Sequence, residues 1–258
     1  MTMSEQGTPS NGAGSAAALD RLKLLADETR WRLLQLLRQS DYLVTELVER
    51  TGLAQNLVSY HLNSLRQAGL VQVHRSDADA RASYYGVSLA GLVALHRQFG
   101  ADLVIPDPAP ASLLPPATVI VLCRANSARS QIAEGWLRTL SNGRLLVRSA
   151  GTHPASLHPL GVQVMAEEGI DIGHQRSKHV DELTELTPTV VLTVCDIARE
   201  ECAVWLRATT QIHWSIPDPV GVQDDAERLR AFREVRDELR LRAQGLLALL
   251  AAGRLAEA

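Results

Sequence analysis

The sequence predicts two domains of different class. The N-terminal half is mostly helical, with a helix-turn-helix and a β-hairpin wing; the C-terminal half is α/β on a four-stranded parallel sheet. Three observations predict this. Apolar residues recur at helical spacing over residues 16–100, interrupted at Gly52 and Gly69. From Thr118 onward, short apolar runs alternate with amphipathic stretches, the pattern of parallel strands covered on both faces. Between the two lies Ala101–Ala117, ADLVIPDPAPASLLPPA, whose five prolines make a semi-rigid linker. The 258 residues thus divide into a disordered Gly/Ser-rich tail (1–15), a first domain (16–100), the linker (101–117) and a second domain (118–258).

Ala16–Ala26 and Asp27–Gln39 read as two helices, the second capped by Asp27, with Trp31, Leu34 and Leu37 on one face. Thr45 caps a short helix to Arg50, and Thr51-Gly52 breaks it. Ala54–Ala68 follows, with Leu57, Val58, Leu62 and Leu65 facing inward and Gly69 ending it. That leaves Gln55, Asn56, Ser59, Tyr60 and His61 for the exposed face, as candidates for base and phosphate contacts. Leu70–His74 and Ser83–Val87 form the wing, whose polar loop offers Arg75 and Arg81 to phosphates or the minor groove. Ser88–Phe99 is a last helix, with Leu89, Leu92, Val93 and Leu95 on its apolar face.

The stretches LADETRWRLLQLL (Leu25–Leu37) and VTELVERTGLAQNLVSYHLNSLRQAGLVQVHR (Val44–Arg75) resemble the ArsR-type family of winged-helix repressors, over roughly residues 16–100. The resemblance implies a homodimer, formed through this domain, that binds a palindromic operator DNA and releases it on sensing an inducer. Many such proteins sense arsenite or a metal through cysteines ahead of the reading helix, or through Asp and His pairs on the last helix. Here Tyr42–Leu47 has no cysteine and His96 stands alone, so no metal site is expected and the inducer has to be sensed elsewhere.

In the second domain, strand Thr118–Leu122 leads through a tight loop to helix Arg129–Leu140, strand Leu145–Ala150 to helix Leu160–Glu168, and strand Val190–Val194 to a short helical segment. Ile212–Trp214 is a fourth strand, and a long helix, Asp225–Leu250, closes the domain. The first strand–loop–helix unit carries the chemistry. Cys123 leaves the strand, and Arg129 follows six positions later with Ser130 beside it: C-x5-R-S. The backbone of Arg124, Ala125, Asn126, Ser127, Ala128, Arg129 and Ser130, with the positive end of the helix, would line a bowl for a tetrahedral oxyanion. The field that holds the anion favours a Cys123 thiolate at its floor. Arg129 can grip two anion oxygens, and the Ser130 hydroxyl is placed to donate to the sulfur.

This unit is similar to low-molecular-weight tyrosine phosphatases and to thioredoxin-coupled arsenate reductases, which share the phosphatase-type anion loop and a late Asp-Pro, here Asp218-Pro219. The resemblance gives Asp218 the role of general acid. Cys195 and Cys202 in VLTVCDIAREEC, with SAGTHP (Ser149–Pro154), HWSIPDP (His213–Pro219) and FREVRDEL (Phe232–Leu239), resemble the reductases. The reductase resemblance implies a relay. Cys123 attacks arsenate, Cys195 releases arsenite by forming a disulfide with Cys123, Cys202 takes over the bond to Cys195, and a thioredoxin-like protein reduces it. If Asp196–Cys202 is helical, it rises about 10.5 Å, whereas a disulfide tolerates about 7 Å between Cα atoms, so the segment has to unwind once oxidised. Some members bind potassium with residues matching Asn126, Glu134 and Ser149; Lys178 here is expected to replace the ion. No bound cofactor is implied, and phosphate should compete with arsenate.

With 46% hydrophobic and 21% charged residues the chain is expected to be soluble and globular. A net charge of −3 does not advertise nucleic-acid binding. No apolar run suits a membrane, no secretory signal is visible, and three cysteines fit a reducing cytoplasm. Three readings follow: an operator-binding repressor fused to an arsenate reductase, an arsenate-sensing regulator with little turnover, or a tyrosine phosphatase-like hydrolase.

Overall fold

Apolar stripes at helical spacing organise the first half, in a computed structural model that describes residues 12–102, 114–202 and 210–255. Helices α1 (Gly12–Leu25) and α2 (Glu28–Leu37) are followed by strand β1 (Tyr42–Leu43), helices α3 (Val44–Thr51) and α4 (Gln55–Gln67), strands β2 (Val71–Arg75) and β3 (Ser83–Val87), and helix α5 (Leu89–Asp102). The Asp27 carboxylate accepts the Arg30 N–H at 2.9 Å and caps α2. Gly52 ends α3 at φ 71°, a left-handed turn that a side chain resists. The strands form an antiparallel sheet in the order β1-β3-β2. Leu33, Leu37, Leu47, Val58, Leu62, Leu65 and Leu70 fill the core beneath it.

Five sequence expectations need correction here, the first being the start of α3: Leu43, not Thr45, stands at its cap. The wing is three-stranded, because Tyr42 and Leu43 pair with Tyr85 and Tyr84. Helix α1 begins at Gly12, so the end of the expected tail is helical; residues 1–11 lie outside the described residues. Trp31 faces solvent rather than the core. In α4 the inward stripe is Val58, His61, Leu62 and Leu65, spaced three and four apart. His61 is therefore buried at 7% exposure, 3.7 Å from Asp27, while Leu57, expected inside, is 39% exposed. The linker lies outside the described residues except at its ends, where Ala101 and Asp102 finish α5 and residues 114–116 lead into the next strand.

The second half is a parallel sheet of β4 (Ala117–Cys123), β5 (Leu145–Gly151), β6 (Val190–Thr193) and β7 (Thr210–His213), in the order β5-β4-β6-β7. Its helices are α6 (Arg129–Leu140), α7 (Pro159–Ala166), α8 (Asp196–Cys202) and α9 (Asp225–Ala251). Val119, Ile120, Val121 and Leu122 are buried throughout, as a strand covered on both faces requires. Because β4 has neighbours on both sides, its carboxyl end lies where the chain switches direction across the sheet, the usual place for a ligand crevice. No helix among the described residues is long and apolar enough to cross a membrane.

The two halves pack on each other. Asp41, buried after α2, accepts both its oxygens' bonds from Arg242 of α9 at 2.9 Å and takes the Ser215 N–H at 2.8 Å. Its own N–H donates to the His213 carbonyl at 2.7 Å, and the His213 N–H donates to Ser40 Oγ at 2.9 Å. Gly86 on β3 is what admits this carboxylate: a Cβ there would stand 2.2 Å from Asp41 Oδ1.

Candidate active site

The loop between β4 and α6 is a bowl. Asn126 stands at its turn with φ 44°, a left-handed conformation that asparagine tolerates. The loop carbonyls are drawn outward. Those of Arg124, Ala125 and Ser127 accept the N–H groups of His153, Ala155 and His158, and that of Asn126 accepts from Gln131 and Ser177. The loop amides are thereby turned inward. The Asn126 N–H points at Cys123 Sγ, 3.2 Å away, and among the described residues the amides of Ala125, Ser127 and Ala128 have no protein partner. Ala128 precedes α6 without a side-chain cap, so that helix opens its N–H groups toward the same centre. Gly151 is required behind the loop, since a Cβ there would meet the Arg124 carbonyl at 2.4 Å.

A chain of hydrogen bonds orients the Cys123 sulfur. Glu134 Oε2 accepts from the Ser149 hydroxyl at 2.6 Å, and the Asn126 amide donates to Ser149 Oγ at 2.8 Å and to Ser130 Oγ at 3.0 Å. The Ser130 hydroxyl, which accepts the Asn126 amide, lies 2.9 Å from Cys123 Sγ, within reach to donate to the sulfur. The Lys178 ammonium lies at the head of this chain and donates to the Ser149 carbonyl at 2.8 Å. Burial lowers its pKa, against the pull of Glu134. A cation already stands beside Asn126, Glu134 and Ser149, so that set does not fit a further ion.

Cys195 belongs to the same bowl. It follows β6, buried, and its sulfur receives the Arg124 N–H at 3.2 Å and the Ala198 N–H at 3.3 Å. Burial pushes its thiol up to about 12, and the Cys123 sulfur beside it adds to the rise. Cys123 and Cys195 are both free thiols. Cys202 ends α8; its side chain lies outside the described residues. Asp218 sits at the mouth, 45% exposed, with one oxygen 3.4 Å from Arg129 and the other accepting the Val220 N–H at 3.2 Å. It is both a turn residue and a group facing the anion site.

The residue that holds Arg129 was not among the expected site residues. Asp77, at the tip of the wing, accepts from Arg129 Nη1 at 2.7 Å, alongside the Ile216 carbonyl at 2.7 Å. Burial alone would raise the Asp77 carboxyl; the neighbouring His74 and Arg129 outweigh it and hold the pKa below its ordinary value. The signal that was available is an acidic residue on a wing meant to approach phosphates. Among the described residues, His74, Asp77 and Asp196 place three possible metal-ligand atoms within 4.8 Å of one another. The carboxylate oxygens there are already used, Asp77 by Arg129 and Asp196 by His213 and the Asp77 N–H, so the trio is a contact between halves. Of the expected DNA contacts, Gln55, Asn56, Ser59, Tyr60, Arg75 and Arg81 are exposed; His61 is not.

Comparison with known proteins divides the chain at the same place. The family model of the low molecular weight phosphotyrosine protein phosphatases matches residues 118–255, and that of the bacterial regulatory proteins of the arsR family matches residues 27–73. The glutaredoxin arsenate reductase of Synechocystis sp. is 32% identical over 130 residues, 50% of this chain and 95% of that protein. The arsenate reductase of Bacillus subtilis is 35% identical over 122 residues, 47% of this chain and 88% of that protein. A solved structure described as an arsenate reductase in oxidized state is 30% identical, covers 52% of this chain and 98% of its own, and has a TM-score of 0.47.

Proposed function

The chain belongs to the low molecular weight phosphotyrosine protein phosphatase family, and from that premise we propose that it is an operator-binding repressor fused to an arsenate reductase working through Cys123, Cys195 and Cys202. One observation carries the choice of reductase over phosphatase: a second thiol, Cys195, shares the bowl, bonded by the amide of the residue that follows Cys123. Phosphate-ester hydrolysis needs one sulfur. Reduction needs two, because two electrons have to come from a sulfur pair.

Arsenate enters the ring of amides and meets the Arg129 fork. The Cys123 sulfur bonds to arsenic, and a water leaves with a proton from Asp218. Cys195 then attacks the Cys123 sulfur. The electron pair of the S–As bond stays on arsenic, which departs as arsenite, and a Cys123–Cys195 disulfide remains. Cys202 attacks Cys195, which frees Cys123. Burial first, and the neighbouring Cys123 sulfur second, raise the Cys195 pKa, which keeps this thiol protonated in the resting bowl.

A thioredoxin-like dithiol protein is the proposed reductant of the Cys195–Cys202 bond, which places the work in a reducing cytoplasm. The Synechocystis relative, by its name, uses glutaredoxin, so the reductant is the point to test. On the DNA side, Gln55, Asn56, Ser59 and Tyr60 of α4 and Arg75 and Arg81 of the wing are the proposed contacts. Exposed Leu19 and Leu22 on α1 and Val93 on α5 supply an apolar face for a homodimer.

Arsenite production is to be measured for the intact chain and for Cys202→Ser, with thioredoxin and its reductase or with glutathione and glutaredoxin, and an aryl phosphate as control. Sustained turnover with thioredoxin in the intact chain alone is the expected result. Equal turnover by Cys202→Ser would remove Cys202 from the relay. Aryl phosphate hydrolysis at a comparable rate, without arsenite, would make the domain a phosphatase.

A further inference from the structure

The tip of the wing lies in the anion site. Arg129 is the cation that the foregoing reading assigns to the oxyanion, yet its Nη1 is bonded to the Asp77 carboxylate at 2.7 Å. Asp77 is fixed there from behind. Its own N–H donates to Asp196 Oδ2 at 2.7 Å, and Ser76 Oγ winds the tip by accepting the Ala78 and Asp79 N–H groups at 3.1 and 3.2 Å. Asp196 is the residue after Cys195, and its other oxygen is held by His213 at 3.0 Å. The wing's carboxylate is thus seated on the catalytic loop's arginine by a neighbour of the resolving cysteine.

A carboxylate and a tetrahedral oxyanion offer a guanidinium the same thing, a pair of negatively charged oxygens. Asp77 and the Ile216 carbonyl both take Nη1, so an oxyanion has to use the remaining N–H donors of the same guanidinium. A dianion on those donors stands beside the Asp77 carboxylate on one guanidinium, repels its charge and competes with it for the same cation. We infer that the anion bowl is also the effector site of the DNA-binding half, that its ligand is a tetrahedral oxyanion, and that Asp77 is the internal carboxylate this ligand displaces, undocking the wing.

Undocking has a direction. Docked, the Asp77 charge is neutralised by Arg129. Released, it becomes a bare negative charge on the same wing as exposed Arg75 and Arg81, where it opposes their approach to DNA phosphates. Oxyanion occupancy therefore weakens DNA binding before any reduction takes place. The inference rests on the proposed oxyanion site but not on turnover.

Inorganic phosphate is the probe, since it has the shape and charge of arsenate and is not reduced. Its affinity is measured by calorimetry on the full chain, wild type against Asp77→Ala, Asp77→Asn and Asp79→Ala. Asp79 is on the same loop but caps the Arg81 N–H instead of meeting Arg129. If the docked state holds most of the population, removing Asp77 tightens phosphate binding about tenfold, whereas Asp79→Ala leaves it unchanged. In the wild type, saturating phosphate should speed hydrogen exchange at the Asp77 amide. At matched ionic strength, phosphate should loosen duplex DNA from the wild-type chain several-fold and from Asp77→Ala not at all. Equal phosphate affinity in wild type and Asp77→Ala, or an Asp77 amide as protected with phosphate as without it, overturns the inference and leaves the oxyanion site standing. Phosphate bound by neither chain overturns both.

Discussion

Lys178 shows how much one side chain can decide. It faces Glu134, a carboxylate buried to 4% exposure whose other cation, Arg138, is 3.7 Å away and half exposed. Lys178→Ala would leave Glu134 short of positive charge and slacken the chain from Ser149 to Cys123. The expected result is a fall of about tenfold in kcat/KM, the lower end for a disturbed supporting shell, with partial recovery in potassium but not sodium salts. Wild-type activity should be indifferent to that exchange; equal potassium dependence in both proteins would refute the assignment. His213 gives a second expectation, in pH. Burial lowers its pKa despite its bond to the Asp196 carboxylate, so the unfolded chain takes up a proton near pH 6.5 that the folded chain refuses. Stability should be flat above that value and fall as pH drops below it, by up to about 1.4 kcal/mol per unit. Urea midpoints at several pH values, for wild type and His213→Asn, check this: the substitution should remove the slope between pH 5 and 6.5. These residues divide sharply in how readable they were. Cys123, Arg129 and Ser130 declare themselves because their chemistry depends on local spacing. His61 was misplaced by one helical step, and Asp77 was invisible because its partner is 52 positions away.

At the scale of elements, α8 joins the proposed cysteine relay to the first half of the chain. Its first residue, Asp196, holds the wing amide; Arg199 pairs with Glu46 of α3 and lies 5.1 Å from the Tyr84 ring centroid on β3. The helical form separates Cys195 and Cys202 by a rise of about 10.5 Å, too far for a bond that tolerates about 7 Å. Oxidation of this pair therefore has to unwind α8, and unwinding breaks the Arg199 contacts. Treating the chain with arsenate and no reductant should trap the Cys195–Cys202 bond and speed amide exchange from Ile197 to Glu201. In Cys202→Ser the product should be the Cys123–Cys195 bond, with α8 still protected. Slow exchange across α8 in the oxidised intact chain would show that the helix survives. The sequence located this helix, Cys195 just before it and Cys202 at its end, since these are local features. The two-residue strand β1 escaped it: Tyr42-Leu43 carries no alternating pattern and becomes a strand only because β3 offers it an edge.

The whole molecule depends on a contact with no trace in the chain's order. Asp41 and Arg242 are 201 residues apart, on opposite sides of the proline-rich segment, and both are buried. Local patterning predicts two independent domains, and periodicity holds no term for pairing their surfaces. The structure pairs them through charges that cannot be left alone. Arg242 is held by Asp41 at 2.9 Å and by Glu238 at 2.6 Å, Glu238 accepts from Gln72 of β2 at 2.9 Å, and a Cβ on Gly86 would block the Asp41 carboxylate. Removing one member of a buried pair costs about 3–5 kcal/mol, because the other charge stays out of water, whereas replacing both with apolar groups is often neutral. Asp41→Ala should therefore destabilise the chain by that amount and split one unfolding transition into two as the halves part. Asp41→Leu with Arg242→Met should recover most of the loss. Calorimetric scans of the three proteins decide it. If Asp41→Ala unfolds in one step within about 0.5 kcal/mol of the wild type, the surface-substitution range, the pair does not hold the halves together. In that case the path from the anion bowl to the wing has to run through Asp77 and α8 alone.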